Sequence, residues 1–443
     1  MMNLLNVDEK LPNIEQSNFL YSKIRKIIPT GTHTLAKGPT QYVDGVAPKF
    51  LEKGKGAIVW DVDGNSYIDY TMAVGPLSLG YCYDAVDNAI KEQLEKGISF
   101  SLLNPLELEV AELIQGIIPN AEMVRFARGG ADVTSMAVRL ARAFTGKNKI
   151  LCCGYHGWHD WYVSVTPRNN GVPVEVQNLT NTFEYNNIQS LINSIDEDTA
   201  AVIIEPVTFF EPKDNFLHQV QEVCRKNNIV LIFDEMWTGF RMANGGAQEF
   251  FGIKPDLATY SKAIANGMPL AVITGKAEIL DLISKDVFIF STFGGETLSL
   301  AAAKATIKEI LDKNVISYLY EIGGYLKNNL NRIIEDNGID YAKVIGYNFR
   351  LMLDIYHPTI DNLLIKSYIQ QELIRDRILW STYYNMSYSH TKEILDYTIE
   401  VHTKVFKKLK QVVEEQRIET ELKGLPIQPL FRKVSNFNTK PSR

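Results

Sequence analysis

The chain has 443 residues, too many for one ordinary compact domain, and its length predicts two or three units around at least one large buried core. Hydrophobic residues make up 45% and charged residues 22%, so disordered, collagen-like and coiled-coil proteins are poor fits. The formal net charge of -6 argues against a general binder of nucleic acid or anionic membrane, which needs a basic face, and favours a small-molecule partner.

The N-terminal stretch MMNLLNVDEKLPNIEQ lacks the basic region and apolar run of a signal peptide. No apolar run reaches the roughly 18 to 20 residues that a membrane-spanning helix needs. The cysteines are too few and too scattered for a disulfide framework; they are Cys82, Cys152, Cys153 and Cys224. We therefore expect a cytoplasmic protein that does not bind membranes.

The first regular elements are predicted between residues 55 and 119. Two β-rich runs in GAIVWDVDGNSYIDYT, joined across Asp63 and Gly64, predict a hairpin. Residues 84–96 have a helical pattern. The stretch LELEVAELIQGIIP predicts a clearer helix, which Pro119 should end.

From about residue 120 to 305, short apolar runs alternate with helical stretches. The runs are EMVRFA, KILCCG, AVIIEPV, IVLIFDE, DLATYS and LAVITG. Runs that are apolar on both faces predict a mostly parallel sheet covered on two sides, hence an α/β domain. The helix SLAAAKATIKEILDKN should then lead to a smaller C-terminal α/β unit that contains NFRLMLDIY and the long helix EILDYTIEVHTKVFKKLKQVVEEQ.

In such sheets, ligands bind at the carboxyl ends of the strands, so polar residues that follow the apolar runs are the candidates. Gly129 and Gly130 lie between a predicted strand and a helix, where backbone N–H groups can hold a phosphate, although a tight turn explains such a pair equally well. Asp234 follows five apolar residues and could hold a proton on a heterocyclic nitrogen; a helix cap or a salt bridge is the alternative.

Lys262 lies between an apolar stretch and a Gly-Met-Pro turn, where a solvated charge gains little. A lysine partly withdrawn from water has a lowered pKa and can form a Schiff base; the alternative is a snorkelling surface lysine. Tyr155 follows a strand and could offer a flat face to a ring. His156 and His159 are spaced like metal ligands, but no second pair completes a site, so we expect no metal. Together these groups match the phosphate, ring nitrogen, ring face and aldehyde of pyridoxal 5'-phosphate.

A family resemblance rests on seven stretches, which in chain order are WDVDGNSYIDY, VRFARGGADVTSMAVRLARAFTG, YHGWHD, AVIIEPV, LIFDEMWTGFR, GGAQEFFGIKPDLATYSKAIANGMPLA and SYSHTKEILDYTIE. Over about residues 24–415 the chain resembles the class III (subgroup II) aminotransferases of pyridoxal-phosphate fold type I, and most of all their glutamate-1-semialdehyde 2,1-aminomutase branch. The resemblance implies an aspartate aminotransferase-like large domain with a mostly parallel seven-stranded sheet and a smaller C-terminal α/β domain.

The resemblance also implies site residues. Lys262 forms the internal aldimine, Asp234 pairs with the pyridine nitrogen, Tyr155 stacks on the ring and Glu205 lies near cofactor and substrate. The remaining cofactor contacts match the phosphate loop at Gly129, Gly130 and Ala131, where the usual Ser-Gly-Thr hydroxyls are missing, and Thr292, which reaches the phosphate from the neighbouring subunit. A homodimer with active sites at the interface follows from Thr292.

The division that we expect has four parts. Residues 1–75 form an N-terminal segment that contributes to the small domain and the dimer interface, 76–324 the large cofactor-binding domain, 325–425 the small domain and 426–443 an exposed tail. The last twenty residues, from Gly424, contain four basic and no acidic side chains, which favours a solvated tail over a binding arm.

The substrate pocket departs from the aminomutase pattern. Lys37 stands where that branch has an arginine, and lysine cannot reproduce the bidentate fork that arginine offers a carboxylate. Val74 replaces a tryptophan, Thr382 an acid and Glu296 an asparagine. We therefore do not expect glutamate 1-semialdehyde to be the natural substrate.

The leading functional hypothesis is an aminotransferase that moves an amino group from a small-molecule donor to a small or sugar-like carbonyl acceptor. The alternatives are an intramolecular aminomutase of the glutamate-1-semialdehyde type, a related epimerase, and a non-catalytic binding protein that keeps the fold. Candidate substrate residues are His33, Thr34 and Lys37 at the substrate entrance, Glu296 for a polar or cationic group, and Arg350 for a carboxylate or phosphate.

Overall fold

The computed structural model describes Leu5 and residues 10–429 of the chain. By its internal contacts the chain forms two compact units. The terminal unit combines the described residues up to Tyr83 with those from Ser317 onward, and the central unit is Asp84–Ile316. Among the described residues, no helix has both the length and the apolar character that crossing a bilayer requires.

The strands of the described chain are, in order, β1 Leu51–Lys55, β2 Ile58–Asp61, β3 Ser66–Asp69, β4 Met123–Ala127, β5 Lys149–Cys153, β6 Thr180–Thr182, β7 Thr199–Ile204, β8 Val230–Asp234, β9 Leu257–Tyr260, β10 Ala271–Gly275, β11 Ala342–Tyr347, β12 Arg350–Ile355, β13 Ile378–Leu379 and β14 Tyr383–Asn385.

The α-helices are α1 Glu15–Ile24, α2 Asp84–Leu94, α3 Pro105–Gln115, α4 Gly130–Thr145, α5 Asp160–Val163, α6 Val174–Gln177, α7 Ile188–Ser194, α8 Phe216–Lys226, α9 Ala247–Phe251, α10 Ala277–Leu280, α11 Thr297–Asp312, α12 Val315–Asp336, α13 Asn362–Arg375, α14 Lys392–Glu414 and α15 Ile418–Glu421. Short 3-10 segments include Lys262–Ala265, directly after β9, and Met72–Val74.

The central unit is built on a seven-stranded sheet of order β4-β10-β9-β8-β7-β5-β6. The run from β9 to β6 is parallel, and β10 is antiparallel to both of its neighbours. Strands β7 and β8 are buried along their whole length, as expected for a sheet covered on both faces. The predicted α/β fold with a mostly parallel seven-stranded sheet is confirmed.

Six of these strands coincide with the apolar runs in the sequence. The seventh, β6, has the sequence Thr-Asn-Thr and lies at the sheet edge beside β5. A strand of three polar residues has no apolar pattern, so the sequence did not predict it.

Helix α4 follows β4 and buries one apolar stripe. Val133, Ala137 and Leu140 are fully buried, whereas Phe144 is 43% exposed near the end of the helix. The helix ends at Gly146, whose φ of 69° suits a glycine.

Helix α3 is shorter than predicted. Asn104 caps it by accepting a hydrogen bond from the Leu106 N–H, and Glu107 accepts from the Asn104 N–H in return. The helix ends at Gln115, before a turn that leads to Pro119, so proline was the wrong end signal.

The terminal unit contains a four-stranded sheet of order β1-β2-β3-β13 and a three-stranded sheet of order β11-β12-β14. The hairpin predicted at Asp63 and Gly64 is confirmed, with Ile58 opposite Ile68. The Asp61 carboxylate stabilises its turn by accepting hydrogen bonds from the Asp63 and Asn65 N–H groups.

The first residues of the predicted C-terminal tail pack against the rest of the protein. Ile427 is only 6% exposed, and its N–H donates to Ser367 Oγ at 2.9 Å. The expectation of an exposed tail from residue 426 is therefore wrong at its start. The rest of that predicted tail, residues 430–443, lies outside the described residues.

Candidate active site

One edge of the central sheet collects the predicted cofactor residues. Because the strands run parallel in register, Cys153 lies beside Ile204, Ile204 beside Phe233, and Asp234 beside Thr259. The residues that follow these strand ends are Tyr155 after β5, Glu205 after β7 and Lys262 after β9, while Asp234 ends β8.

Asp234 is 2% exposed, so its carboxylate depends on partners within the protein. One oxygen accepts a hydrogen bond from the Met236 N–H at 3.1 Å. The other lies 2.8 Å from Nδ1 of His156. A carboxylate has about four acceptor positions, so Asp234 can still accept a proton-bearing nitrogen of a ligand.

His156 is a site residue whose role the sequence did not reveal. Its Nδ1 faces the Asp234 carboxylate, and its Nε2 lies 3.2 Å from the carbonyl oxygen of Cys153. Both of its neighbours are acceptors, so both bonds form when both ring nitrogens carry hydrogen. The ring of His156 is 2% exposed and holds the Asp234 carboxylate in place.

Among the described residues, no group of three or more His, Cys, Asp or Glu is arranged to hold a metal ion.

Glu235, next to Asp234, is a second buried carboxylate that the sequence reading did not use. It accepts hydrogen bonds from the N–H groups of Ala247 and Gln248 at 2.8 and 2.9 Å and from the Thr238 hydroxyl. Burial raises the pKa of Glu235 to about 7 despite these bonds. This side chain therefore anchors the segment after β8, and the acidic pair Asp-Glu at a strand end was its sequence signal.

Lys262 begins the 3-10 segment after β9 with a φ of 48°, in the left-handed region that costs a non-glycine residue energy. Its Nζ lies 3.8 Å from the centroid of the Trp237 ring. The side chain is half-buried. Trp237, on the segment after β8, is therefore the third site residue, after His156 and Glu235, that the sequence did not reveal.

Tyr155 and Glu205 are joined directly. The Tyr155 N–H donates to Oε2 of Glu205 at 2.7 Å, and Glu205 is 8% exposed whereas the Tyr155 side chain is 44% exposed. Burial and the negative charges of Asp234 and Glu205 raise the pKa of the Tyr155 hydroxyl. Gly154, with a φ of 114°, makes the approach possible, since a Cβ there would lie 2.6 Å from the Glu205 carboxylate.

The start of α4 packs against the loops after β5 and β8. The Thr134 hydroxyl donates to the carbonyl oxygen of His156 at 2.8 Å, and a Cβ on Gly130 would lie 2.9 Å from Met236 Sδ. Gly129 is the N-cap residue, and its N–H donates to the Asp132 carboxylate. The first N–H groups of a helix lack intrahelical acceptors and favour an anion, so this end of α4 can hold a phosphate without side-chain hydroxyls at Gly129 and Ala131.

This donor set fits pyridoxal 5'-phosphate. A buried carboxylate, an amine and a glycine-lined helix start are arranged around one sheet edge, and these match the ring nitrogen, the aldehyde and the phosphate. The close approaches at Gly130 and Gly154 show that the backbone there leaves no space for larger residues.

Thr292 and Glu296 lie on the stretch before and at the start of α11. Thr292 is exposed. Glu296 is 8% exposed, caps α11 by accepting from the Leu298 and Ser299 N–H groups, and pairs with Arg128 at 2.8 Å. Burial opposes its charge, but the bonds from Ser299, Arg128 and Leu298 outweigh burial and lower the pKa of Glu296. Its carboxylate therefore has partners within the protein, and the selection of a substrate by Glu296 stays a prediction.

The remaining substrate candidates belong to the terminal unit. His33, Thr34 and Lys37 are exposed on a stretch of short 3-10 turns. Arg350 begins β12, is 9% exposed, and its guanidinium carbon lies 5.6 Å from the centroid of the Tyr383 ring. Thr382 has a φ of 73°.

Comparison with known proteins gives a family match. The family model described as Aminotransferase class-III matches residues 42–348. The 3-aminobutyryl-CoA aminotransferase of Cloacimonas acidaminovorans (strain Evry) is 34% identical over 88% of this chain and 96% of its own length. The glutamate-1-semialdehyde 2,1-aminomutase of Archaeoglobus fulgidus is 32% identical over 87% of this chain and 98% of its own.

Among solved structures, the pyridoxal-phosphate internal aldimine form of the FumI protein of Sphingopyxis sp. MTA144 aligns with a TM-score of 0.83. The alignment covers 90% of this chain and 97% of that protein, at 26% identity. The fold is thus shared along most of both chains.

Proposed function

Because the chain belongs to the aminotransferase class-III family, we propose that its pyridoxal 5'-phosphate is held between Asp234 and Lys262. One observation carries this assignment. Asp234 lies beside Thr259 in the parallel pair of β8 and β9, and Lys262 follows at the end of β9. A buried carboxylate and an amine therefore leave neighbouring strands at the same edge of the sheet.

When bound, the cofactor supplies an aldehyde that joins to amines and a ring that withdraws electrons from the substrate carbon. Asp234 keeps a proton on the ring nitrogen, since an ionised carboxylate stabilises a protonated nitrogen. His156 holds that carboxylate in position. The amine of Lys262 would hold the cofactor and, once released, would take a proton from the substrate carbon and return it as general base and acid.

The other predicted cofactor residues have binding roles in this proposal. The start of α4, at Gly129, Gly130 and Ala131, holds the phosphate: the N–H groups of Gly130 and Ala131 bind it, and Gly129 is the N-cap residue beside them. The half-exposed ring of Tyr155 covers one face of the cofactor ring. Glu205, which accepts from the Tyr155 N–H, orients this residue and borders the substrate.

Borohydride reduction of cofactor-loaded protein, followed by peptide mass spectrometry, tests the assignment. We expect the label on Lys262 and none in Lys262→Ala. Lys276 is the matched control, because it follows the neighbouring strand β10 but pairs with Asp256 at 2.7 Å. Lys276→Ala should keep the label on Lys262; a label that stays elsewhere on the chain in both variants would contradict the proposal.

The enzyme is a pyridoxal-phosphate-dependent aminotransferase, and we infer that it transfers an amino group between two small molecules, with a small or sugar-like carbonyl compound as acceptor. The 34% identity to a protein named an aminotransferase supports this. The relative named an aminomutase keeps intramolecular transfer, or a related epimerisation, as the second candidate. The replacement of an arginine by Lys37 supports a substrate other than glutamate 1-semialdehyde.

Adding one candidate substrate at a time separates these reactions. An aminotransferase converts the cofactor to its amino form with a donor alone and needs an acceptor to turn over. An aminomutase or epimerase turns over with a single compound. Turnover that is independent of a second compound would refute the transferase assignment and leave the cofactor assignment intact.

We further propose that the enzyme is a homodimer. Large apolar side chains are exposed along two stretches of the central unit, which join where the Thr297 N–H donates to the carbonyl oxygen of Ile98. They are Ile98, Phe100, Leu102 and Leu103 on one stretch and Phe288, Phe290 and Phe293 on the other. An exposed apolar surface of this extent is typical of an interface, and a second copy would bring its Thr292 to the phosphate.

Analytical ultracentrifugation tests the dimer. Leu102, at 85% exposure, and Phe290, at 72%, should tolerate glutamate in a monomer but not inside an interface. Leu102→Glu and Phe290→Glu should therefore give monomers with weakened cofactor binding. Tyr356→Glu, at an 80% exposed position of the terminal unit, is the control and should leave the assembly unchanged. A wild-type monomer with full cofactor affinity would refute the proposal.

A cytoplasmic location completes the proposal. Cys82, Cys152, Cys153 and Cys224 form no disulfide, and Cys82 is exposed. Free thiols persist in a reducing compartment. Cell fractionation with an antibody to the protein tests this, and recovery in a secreted or membrane fraction would contradict it.

A further inference from the structure

The indole of Trp237 covers the amine of Lys262, whose Nζ lies 3.8 Å from the ring centroid. At this distance a protonated amine is attracted to the negative face of the ring. We propose that Trp237 is a positioning residue that holds the Lys262 amine in its protonated form, so that capture of the cofactor requires the amine to leave the indole. This inference rests on the proposed role of Lys262.

The indole is presented by a rigid turn. Trp237 lies between Glu235, which is fully buried, and Gly239, whose N–H donates to the Glu235 carbonyl oxygen at 2.9 Å. The Glu235 carboxylate in turn binds the N–H groups of Ala247 and Gln248. The position of the ring is therefore set by the core of the central unit.

The lysine is directed toward the ring by its own backbone. Lys262 has a φ of 48° and Asn266 a φ of 41°, so both ends of this segment are held in the left-handed region. The preceding Ser261 hydroxyl donates to the Leu270 carbonyl oxygen at 2.6 Å, which ties the segment to the start of β10. The tertiary structure thus imposes the direction in which the Lys262 side chain leaves the chain.

The contact favours the ammonium form, because the neutral amine lacks the charge that the ring attracts. Only the neutral amine attacks an aldehyde, so Trp237 should delay cofactor capture at low pH. The guanidinium of Arg241, 5.9 Å from the same ring and buried, opposes the ammonium charge. The carboxylates at this sheet edge are Asp234, Glu235 and Glu205. The titratable groups on the loop after β5 are Tyr155, His156 and His159. All of these groups stay unchanged in the test.

The test measures the rate of cofactor capture by cofactor-free protein against pH, from the absorbance of the bound cofactor. In Trp237→Leu the pH of half-maximal rate should fall by about half a unit to one and a half units, the range that a cation–π contact spans. In Trp237→Phe, whose ring attracts a cation more weakly, the pH of half-maximal rate should fall by less. Trp158→Leu, which removes an exposed tryptophan after β5, is the matched control and should not shift the profile.

Each result has one meaning. A fall in the pH of half-maximal rate that is larger in Trp237→Leu than in Trp237→Phe supports the proposal. If the leucine variant does not fold, the phenylalanine variant alone decides the matter. An unchanged profile, or a fall of equal size in Trp158→Leu, overturns it. Borohydride labelling of Lys262 is measured on the same samples: a labelled Lys262 with an unchanged profile refutes only the role of Trp237, whereas an unlabelled Lys262 refutes the proposed function itself.

Discussion

The central and terminal units both bury titratable side chains, and some of these groups titrate in opposite directions. The central unit buries the neighbouring carboxyls Asp234 and Glu235 at the end of β8, with 2% and 0% exposure. The terminal unit fully buries two histidines. His390 stacks on Tyr70 with 4.6 Å between ring centroids, and His402 accepts a hydrogen bond from the Tyr384 hydroxyl.

Glu235 and the two histidines contribute to stability with opposite dependence on pH. Burial raises the pKa of Glu235 to about 7 and lowers the pKa of His390 and of His402 to about 4. The folded central unit therefore binds a proton more tightly at Glu235 than the unfolded chain does, and loses stability as pH rises from about 4.5 to about 7. His390 and His402 bind protons less tightly in the folded terminal unit, so their contribution to its stability is lost as pH falls from about 6.5 to about 4.

The contrast teaches that burial serves chemistry in one unit and packing in the other. In the central unit a buried carboxylate leads directly to the candidate site. In the terminal unit the neutral histidines complete hydrogen bonds, since Nδ1 of His402 donates to the Thr398 carbonyl oxygen while Nε2 accepts from Tyr384.

The largest expected effect comes from one chemical change made in both units. Asp234→Asn should lower kcat by about 10²–10³-fold, the usual cost of removing one preorganised electrostatic partner. Asp61→Asn removes a carboxylate with 1% exposure from the hairpin of the terminal unit and should cost about 1–3 kcal/mol of stability at unchanged kcat. Turnover, divided by the fraction of Lys262 that borohydride labels in a parallel sample, measures the first effect. Urea unfolding measures the second. An equal loss of turnover in both variants would break the comparison.

The next effect concerns the histidines of the terminal unit. Each shift from about 6.5 to about 4 corresponds to about 3 kcal/mol of stability lost between those pH values. His402→Leu should lower stability at neutral pH, because Tyr384 loses its acceptor, and should also remove part of the loss on acidification. Hydrogen exchange of amides in 317–429 between pH 4 and 7 measures this, with His218→Leu, at an exposed site of the central unit, as the control. An unchanged acid dependence in His402→Leu would contradict the assignment.

Glu235→Gln tests the decline in the stability of the central unit with rising pH that we assign to Glu235. Glutamine keeps one acceptor oxygen for the Ala247 or Gln248 N–H but cannot titrate. The variant should lack the decline in stability, at most about 3 kcal/mol, that wild type shows between pH 4.5 and 7. Hydrogen exchange of amides in 84–316 reports it, and a decline of the same size in the variant would assign the slope to another group.

The smallest effect should be the same in both units. Lys226 pairs with Glu222 on α8, and Lys404 pairs with Glu400 on α14, each pair exposed and one helical turn apart. Such pairs are screened by solvent, so Lys226→Ala and Lys404→Ala should leave the unfolding midpoints unchanged within error at 0.15 M salt. A clear shift in one unit alone would show that its surface charges contribute to the contrast.

The sequence predicted the sheet well, because buried parallel strands are nearly continuous apolar runs. It placed Asp234 at a strand end and Lys262 after one, and these positions are confirmed. It missed β6, since three polar residues carry no apolar pattern, and it did not reveal that Glu296 caps α11 and pairs with Arg128.

Local patterns determined most of the elements, because apolar periodicity and turn residues act over a few neighbouring positions, and the seven motif stretches indicated the family. The tertiary structure alone decided which distant side chains meet. The contact of His156 with Asp234 and that of Lys262 with Trp237 depend on the register of β5, β8 and β9 and on a left-handed backbone at Lys262. No local preference specifies these features, since a non-glycine residue adopts such a φ only where the surrounding packing compensates for its cost.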